Sequence, residues 1–269
     1  TIFFDNRNNR LVYIEKKADQ GLWSELWLSD KNLESSIKKR NTFVSSYTKE
    51  YLDFGSRILE GGCGNGHHVY ALQHNNFDSF GIDYAEEVVK KVKALVPDLD
   101  IRQGDVFNLE LEDQSIDGYW SLGVIEHYFD GYEGITAEMK RVLKKDGYLF
   151  ITFPWFNPLR KRKANSNAYY AFEEGTNIEE FYQFALDHNE VIEHLSDDFD
   201  LVFKRGLSSF EGLMKETKLT GKFLGFIHAQ SKNSILFKII SKFLHLLLNI
   251  RPFCNQYGHS ILLVLKKKN

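Results

Sequence analysis

The chain has 269 residues, of which 43% are apolar, so it can build the core of one large α/β domain or two small ones. The formal net charge of −3 gives no overall reason to expect nucleic acid as a partner. Cys63 and Cys254 are too few for a framework of disulfides and favour a reducing compartment. Because no run of about 18 uncharged apolar residues is present, we expect a cytoplasmic protein.

The first part of the chain is expected to form a helical cap over residues 1–50, because 19–52 has a helical apolar pattern. From residue 57 onward, apolar strands and amphipathic helices alternate. The predicted strands are 57–61, 79–83, 99–105, 116–124 and 147–155, and the predicted helices are 67–75, 85–96 and 134–145. This alternation predicts an α/β fold with a parallel sheet that helices cover on both faces. A ligand would then bind at the carboxyl ends of the strands.

The last part of the chain contains two strand-like segments, 199–206 and 259–267, which are expected to pair antiparallel at the edge of the sheet. Between them lies a basic, mainly helical insertion, 209–255. We therefore expect a core of 51–208 and 256–269 and a separate insertion that is a lid, a dimer interface or a contact with an anionic membrane surface. The membrane alternative would make the protein peripheral to the membrane.

A glycine-rich turn follows the first strand of the core, in the stretch RILEGGCGNGHHVYAL. A dinucleotide fingerprint that starts at Gly62 needs a third glycine at position 67, which is His67. The phosphate-binding loop pattern that ends in Gly-Lys-Ser/Thr is absent as well. What remains is Glu60 followed by Gly62, Gly64 and Gly66, which would allow a close backbone approach to a ligand. A tight turn that serves packing alone is the alternative.

Two further acids end the next two strands. Asp83 could accept hydrogen bonds from both hydroxyls of a ribose, as it also would in a dinucleotide enzyme. Asp105 ends the third strand, where it could accept from the amino group of an adenine. Either one alone could cap a strand end, but three acids beside one glycine turn favour an adenosine-containing ligand.

Five stretches follow one another along the chain: ILEGGCGNG, GIDYAEEVV, GDVFNL, SLGVIEHY and EMKRVLKKDGYLFITFP. Together they resemble the successive motifs of the class I S-adenosylmethionine-dependent methyltransferases, over about residues 50–156. The resemblance implies a Rossmann-like seven-stranded mixed sheet whose last strand is antiparallel, with the helical insertion between the last two strands. It also implies S-adenosylmethionine as cofactor and S-adenosylhomocysteine as product. The implied cofactor-binding residues are Glu60, Gly61, Gly62, Gly64, Asn65, Gly66, Asp83, Tyr84, Asp105, Val106, Leu122 and Gly123.

Catalytic residues are expected after the fourth strand. His127 is the best-placed general base for a poorly nucleophilic acceptor, and Glu126 could assist it. The alternative is that both residues shape the pocket without taking part in chemistry. We expect no metal, because relatives that bind one through a Glu-His pair carry a further acid that is not evident in this sequence.

Acceptor-binding residues are expected after the fifth strand. Arg160, Lys161 and Arg162 begin a run of four cations that could clamp an anionic acceptor, although a solvated charge run is the alternative. Tyr169, Tyr170 and Tyr182 could form an aromatic wall for a sugar or ring, or pack in the core. These residues predict a methyltransferase that acts on a small molecule or glycan. The acceptor could be anionic or linked to a lipid. The alternative is a methyltransferase-like protein that binds the cofactor or a partner without catalysis. A third hypothesis, an NAD-dependent dehydrogenase, is opposed by the missing third glycine.

Overall fold

A computed structural model describes residues 1–232 and 234–269. The strands in chain order are β1 (Ile2–Asp5), β2 (Arg10–Ile14), β3 (Arg57–Gly61), β4 (Asp78–Asp83), β5 (Ile101–Gln103), β6 (Ile116–Leu122), β7 (Leu143–Pro154), β8 (Tyr170–Ala171), β9 (Phe181–Ala185), β10 (Phe199–Leu207) and β11 (Ser260–Lys267). The helices are α1 (Gln20–Leu28), α2 (Leu33–Ile37), α3 (Phe43–Tyr51), α4 (His67–Gln73), α5 (Glu86–Leu95), α6 (Glu133–Val142), α7 (Pro158–Asn165), α8 (His188–Leu195), α9 (Ser209–Glu216), α10 (Leu219–Gln230), α11 (Ile235–Leu248) and α12 (Arg251–Tyr257).

The larger sheet has seven strands in the order β10-β11-β7-β6-β3-β4-β5. Strands β7, β6, β3, β4 and β5 pair in parallel, whereas β11 is antiparallel to both β7 and β10. This confirms the predicted α/β class, the mixed seven-stranded sheet and its antiparallel end. The strand order reverses between β3 and β6, so their carboxyl ends open a crevice at that point.

Apolar side chains explain why these segments form the centre of the sheet. Ile58 and Leu59 of β3 point to opposite faces and are both fully buried, as a strand covered by helices on both sides requires. Strand β7 continues the pattern with Leu149, Phe150 and Ile151, which are also fully buried. The two faces belong to separate apolar clusters, so each layer of helices has its own core.

A second sheet corrects the prediction of an entirely helical cap over residues 1–50. Strands β1 and β2 form a hairpin, and they lie in a four-stranded sheet of order β8-β1-β2-β9. Leu11 and Val12 are fully buried and pair with Ala185 and Phe184 of β9. The strands β1 and β2 have only four and five residues, and β2 needs a partner about 170 positions away, which local periodicity does not reveal.

The helices α9 to α12 occupy the chain between β10 and β11. They pack around a small apolar cluster of their own, centred on Phe210, Leu213 and Leu224. Across the described residues, every helix is too short or too polar to cross a bilayer. The described part of 209–255 is mainly helical, as its sequence pattern indicates.

Candidate functional site

A cavity of about 790 Å³ opens at the carboxyl ends of the parallel strands, within the size range of small-molecule sites. It lies between the larger sheet on one side and α1 with the two residues before it on the other. The cavity is lined by Ala18, Asp19, Gln20, Gly21, Trp23, Trp27, Gly62, Asp83, Tyr84, Gly104, Asp105, Val106, Phe107, Leu122, Gly123, Val124, His127 and Tyr128.

The predicted cofactor-binding residues divide into two groups. Those that line the cavity are Gly62, Asp83, Tyr84, Asp105, Val106, Leu122 and Gly123. Those that lie behind this surface, in or beside the glycine turn, are Glu60, Gly61, Gly64, Asn65 and Gly66. Glu60 of β3, Asp83 of β4 and Asp105 after β5 therefore lie at the same edge of the sheet. Asp83 and Asp105 line the cavity, whereas Glu60 does not.

The glycine turn has the backbone conformation that glycine favours. Gly62, Gly64 and Gly66 all have positive φ, at 74°, 52° and 70°. A side chain at Gly62 would lie 2.6 Å from Val124, and one at Gly64 would collide with the indole of Trp27. Trp27 of α1 therefore packs directly against the turn and leaves no room for a side chain at Gly64.

Asp83 fixes the shape of this turn. Its Oδ2 accepts the backbone N–H of Gly64 at 2.7 Å, and its Oδ1 accepts that of Ala85 at 2.9 Å. Each carboxylate oxygen can accept a second hydrogen bond, so Asp83 retains acceptor capacity toward the cavity. Burial raises the pKa of Asp83 despite these two bonds.

Glu60 is buried behind the turn, and its Oε2 has no hydrogen-bond partner among the described residues. Burial and the charge of Asp83 raise the pKa of the Glu60 carboxyl well above its usual value. A buried acceptor without a partner is costly and indicates a group that a bound molecule or water satisfies. Glu60 is absent from the cavity lining, so its assignment to the methionine end of the cofactor stays a prediction.

His127 follows β6 in a short 3-10 helix, Ile125–His127. Its Nδ1 lies 2.7 Å from the carbonyl oxygen of Tyr182, which can only accept, so Nδ1 carries the proton. Nε2 then has a free lone pair, 3.9 Å from Oε1 of Glu126. Burial lowers the pKa of His127 to about 4 and raises that of Glu126 to about 8, so at neutral pH the imidazole and the carboxyl are both uncharged.

A second cavity of about 520 Å³ adjoins the first and shares Ala18, Phe107, His127 and Tyr128 with it. His127 thus lies at the boundary between the two spaces. The charged residues that line the second cavity are Lys17, Asp130, Glu133 and Glu179, which give it an acidic character. Phe129 and Phe181 add apolar surface to the same wall.

Arg160 lies outside both cavities, which corrects its assignment to an anion clamp. Its side chain is buried, and its guanidinium donates to Glu216 at 2.7 Å and to the carbonyl of Trp155 at 2.7 Å. A further nitrogen is 2.9 Å from Nδ1 of His259. These contacts occupy the guanidinium internally, because a buried charge needs a partner in its surroundings.

The other predicted acceptor residues also lie outside the cavities. Lys161 is paired with Asp187 at 2.6 Å, and Arg162 reaches Gln256 at 3.1 Å. Tyr169 donates to Glu216, whereas Tyr170 is exposed in β8. Tyr182 comes nearest to the site, because its ring centroid is 5.3 Å from that of His127.

Several cavity residues were not anticipated from the sequence. Trp23 packs edge-on against His127 with ring centroids 4.7 Å apart, and Gln20 donates to the carbonyl of Tyr84 at 3.0 Å. In the sequence, Trp23 is only one of several aromatic residues at helical spacing, a pattern that is also typical of core packing, and Gln20 shows no pattern at all. Phe107 and Tyr128 belong to recognised motifs, GDVFNL and SLGVIEHY, but their side chains carry no distinctive pattern.

Comparison with known proteins agrees with this geometry. A family model described as "Methyltransferase domain" matches residues 59–151. A Mycolicibacterium smegmatis protein named "Probable S-adenosylmethionine-dependent methyltransferase" is 34% identical over 114 residues, which cover 41% of this chain and 44% of that protein. The phthiotriol/phenolphthiotriol dimycocerosates methyltransferase 1 of Mycobacterium ulcerans is 28% identical over 130 residues, covering 46% of this chain and 48% of that protein. The chain therefore matches less than half the length of these curated relatives.

Solved structures extend the likeness of fold beyond this segment. One chain of a complex between the Haloferax volcanii Trm112 methyltransferase activator and a methyltransferase aligns with a TM-score of 0.56 and 14% identity, covering 91% of this chain and 97% of that one. At this identity the likeness concerns the fold alone. The motifs, the sheet order and the family match agree with one another, and residues 59–151 are similar to the methyltransferase domain of proteins named as S-adenosylmethionine-dependent methyltransferases.

Proposed function

We propose that this chain is an S-adenosylmethionine-dependent methyltransferase that acts on a small-molecule or glycan acceptor. The observation that carries the proposal is a single cavity that contains Asp83, Asp105 and Gly62 and adjoins a second one at His127. One space would hold the cofactor and the other the acceptor, with His127 at their junction.

The residues present fit the cofactor. Asp83 would accept from the ribose hydroxyls and Asp105 from the adenine amino group, and the unpartnered Oε2 of Glu60 would accept from the amino end of the methionine. Leu122 and Gly123 would form the floor of the site, with Tyr84 and Val106 beside the nucleoside. When bound, the cofactor supplies a methyl group already activated on a sulfonium. The protein's task is then mainly alignment, which can lower a barrier by about 7–11 kcal/mol.

His127 is proposed to accept the proton of the acceptor's nucleophile. Its hydrogen bond to the carbonyl of Tyr182 directs the lone pair to Nε2 and holds the ring in place. Because its pKa is about 4, the ring is neutral throughout the physiological pH range and its Nε2 lone pair is free, although the same low pKa makes it a weak base. A role for His127 in shaping the pocket alone remains the competing assignment, and it predicts only a small loss of kcat in His127→Gln.

The acceptor that suits the second cavity carries no negative charge and is rich in hydroxyl groups. Asp130, Glu133 and Glu179 can accept from hydroxyls, and Phe129 and Phe181 offer surfaces for a ring. An anionic acceptor is disfavoured, because these acids outnumber Lys17 and the cations after β7 lie elsewhere.

The cofactor assignment is tested by calorimetric titration with S-adenosylhomocysteine. We expect binding by the wild-type protein and about tenfold weaker binding by Asp105→Ala, which removes one hydrogen-bond acceptor from an exposed cavity residue. Asp98→Ala is the matched control, because Asp98 is equally exposed but lies outside the cavity lining. Absence of binding by the wild-type protein would contradict the proposal, and tight binding of NADH instead would favour a dehydrogenase.

Catalysis is tested separately from binding. The purified protein with S-adenosylmethionine and a panel of neutral sugars and phenols should release S-adenosylhomocysteine for at least one member. Glu179→Gln should raise KM for that acceptor with little change in the affinity for S-adenosylhomocysteine. Cofactor binding without turnover on any acceptor would favour the alternative of a binding protein without catalysis.

A further inference from the structure

Helices α10 and α11 expose an extensive set of large apolar side chains to solvent. We call this surface the apolar face, and it consists of Leu219, Phe223, Phe226, Ile235, Leu236, Ile239, Phe243, Leu246 and Leu247. Leu219 is 87% exposed, Ile235 80% and Leu246 71%. The two helices adjoin through the rings of Phe226 and Phe237, whose centroids are 5.7 Å apart. An apolar surface on this scale marks an interaction site in a folded protein.

The spacing of the residues in α11 shows that this exposure is an organised property of the helix. Ile235, Ile239, Phe243 and Leu246 follow one another at intervals of four, four and three residues, so they lie within an arc of about 80°. The other side of the helix carries Leu244 and Leu248, which pack against the cluster of Phe210, Leu213 and Leu224. One side anchors the helix to the protein, and the opposite side points outward.

The charged residues of α10 and α11 are all positive. From Thr217 to Asn269 the sequence contains no Asp or Glu, and the last acid, Glu216, is buried against Arg160. Lys218, Lys222, Lys238 and Lys242 are exposed, and none of the carboxylates in 1–232 and 234–269 forms an ion pair with them. In α11, Lys238 and Lys242 are one turn apart and lie along one edge of the apolar arc.

We propose that the apolar face docks on the surface of an anionic membrane. Apolar side chains would enter the boundary between head groups and acyl chains, while the lysines would contact the anionic head groups. A second copy of this chain fits less well, because a symmetric contact through this face would bring lysines near lysines with no carboxylate to neutralise them. The attachment is peripheral, since both helices are shorter than a spanning segment.

The proposal is tested by flotation of the full chain with phosphatidylcholine vesicles and with vesicles of phosphatidylcholine and phosphatidylglycerol. We expect flotation with the anionic vesicles, weaker flotation at high salt, and little with phosphatidylcholine alone. Ile239→Ser/Phe243→Ser should abolish flotation, and these exposed positions should tolerate serine without unfolding. Lys238→Gln/Lys242→Gln should lower the partition coefficient about 30-fold.

A matched control distinguishes the effect of the apolar face and its lysines from a general loss of positive charge. Lys91→Gln/Lys93→Gln removes two exposed lysines from α5 and should leave flotation unchanged. Equal flotation of wild type and the serine variant, or no flotation of the wild type, would overturn the proposal. If light scattering instead shows a wild-type dimer that Ile239→Ser/Phe243→Ser converts to a monomer, and vesicles do not bind, the face is a self-association interface and the membrane proposal is wrong.

Discussion

At the scale of single residues, Gly64 illustrates how the turn depends on the absence of a side chain. It has φ of 52°, and a methyl group there would meet the indole of Trp27. We therefore expect Gly64→Ala to lower the free energy of unfolding by about 2–4 kcal/mol, from backbone strain and overpacking together. The affinity for S-adenosylhomocysteine should fall as well, because α1 and the turn would be displaced from each other.

The control for this change is Gly55→Ala. Gly55 also has positive φ, at 84°, but nothing lies within 4 Å of the position its side chain would take. Its substitution should therefore cost only about 1–2 kcal/mol of backbone strain. Urea unfolding of the two variants measures the difference, and equal losses of stability would mean that Trp27 does not press on the turn.

Glu126 gives a prediction about pH. Burial raises the pKa of its carboxyl to about 8, so the folded protein keeps a proton that the unfolded chain releases near its ordinary pKa of 4.5. The stabilising effect of this proton is complete below about pH 4.5 and is lost as the pH rises through about 8. Glu126→Gln cannot ionise, so its stability relative to wild type should increase between about pH 5 and about pH 8.5. Urea unfolding at the two pH values tests this, and a constant difference would show that Glu126 does not titrate in that range.

At the scale of elements, the ion pair of Arg160 and Glu216 joins α7 to α9. Lys163 and Tyr169 also bind Glu216, so four side chains meet at one buried point. Although burial opposes ionisation, the charge of Arg160 and hydrogen bonds from Lys163 and Arg160 lower the pKa of Glu216 to about 2. Glu216→Gln leaves the Arg160 charge buried without its partner and should reduce the free energy of unfolding by about 3–5 kcal/mol.

An exposed pair provides the comparison for Glu216→Gln. Glu34→Gln breaks the surface pair with Lys38, where both side chains are well exposed, and should change stability by about 0.5 kcal/mol or less. Thermal unfolding of both variants distinguishes the two cases. Folded Glu216→Gln should bind S-adenosylhomocysteine with the wild-type Kd, and a large loss of affinity would show that the cluster reaches the cofactor site after all.

At the scale of the whole molecule, the small sheet and the large sheet share one apolar core. Val12 of β2 and Phe184 of β9 belong to the same cluster as Leu149 and Ile151 of β7. Just beyond the ends of β7 and β9, Trp155 and Leu186 form an isolated β-bridge, which adds a backbone contact between the segments that follow the two sheets. The hairpin at residues 2–14 is therefore part of the structural unit that holds the site.

This arrangement predicts the effect of Leu11→Ala. Leu11 is fully buried in β2, in a second cluster that joins the hairpin to Phe156 and Ala164 after β7, so its truncation should cost about 2–5 kcal/mol, and the protein should still unfold in one transition. The control is Leu201→Ala in β10, where the side chain is 38% exposed and the cost should be well below that of Leu11→Ala. Tryptophan fluorescence and far-UV circular dichroism report the transition, and separate midpoints would mean that the hairpin unfolds independently.

Local patterns in the sequence determined the larger sheet and the positions of its acids. Buried runs such as RILEG and GYLFITFP, each followed by a turn, define strands whose carboxyl ends meet at one edge. The sequence alone therefore predicts that Asp83 and Asp105 lie close together. These features depend on residues close to one another in the chain and on the regular handedness of strand–helix–strand units.

Only the tertiary structure decided which side chains complete the site and which cationic side chains are held in internal ion pairs. The hairpin of β1 and β2 completes its sheet by pairing with strands more than 150 residues away, so no local period revealed that sheet or placed Trp23 and Tyr182 beside His127. The run of cations from Arg160 resembles a surface charge cluster in sequence, yet Glu216, 56 residues away, makes Arg160 a buried structural group. Burial and long-range partners fix the chemistry of a charged residue, and both are properties of the folded chain.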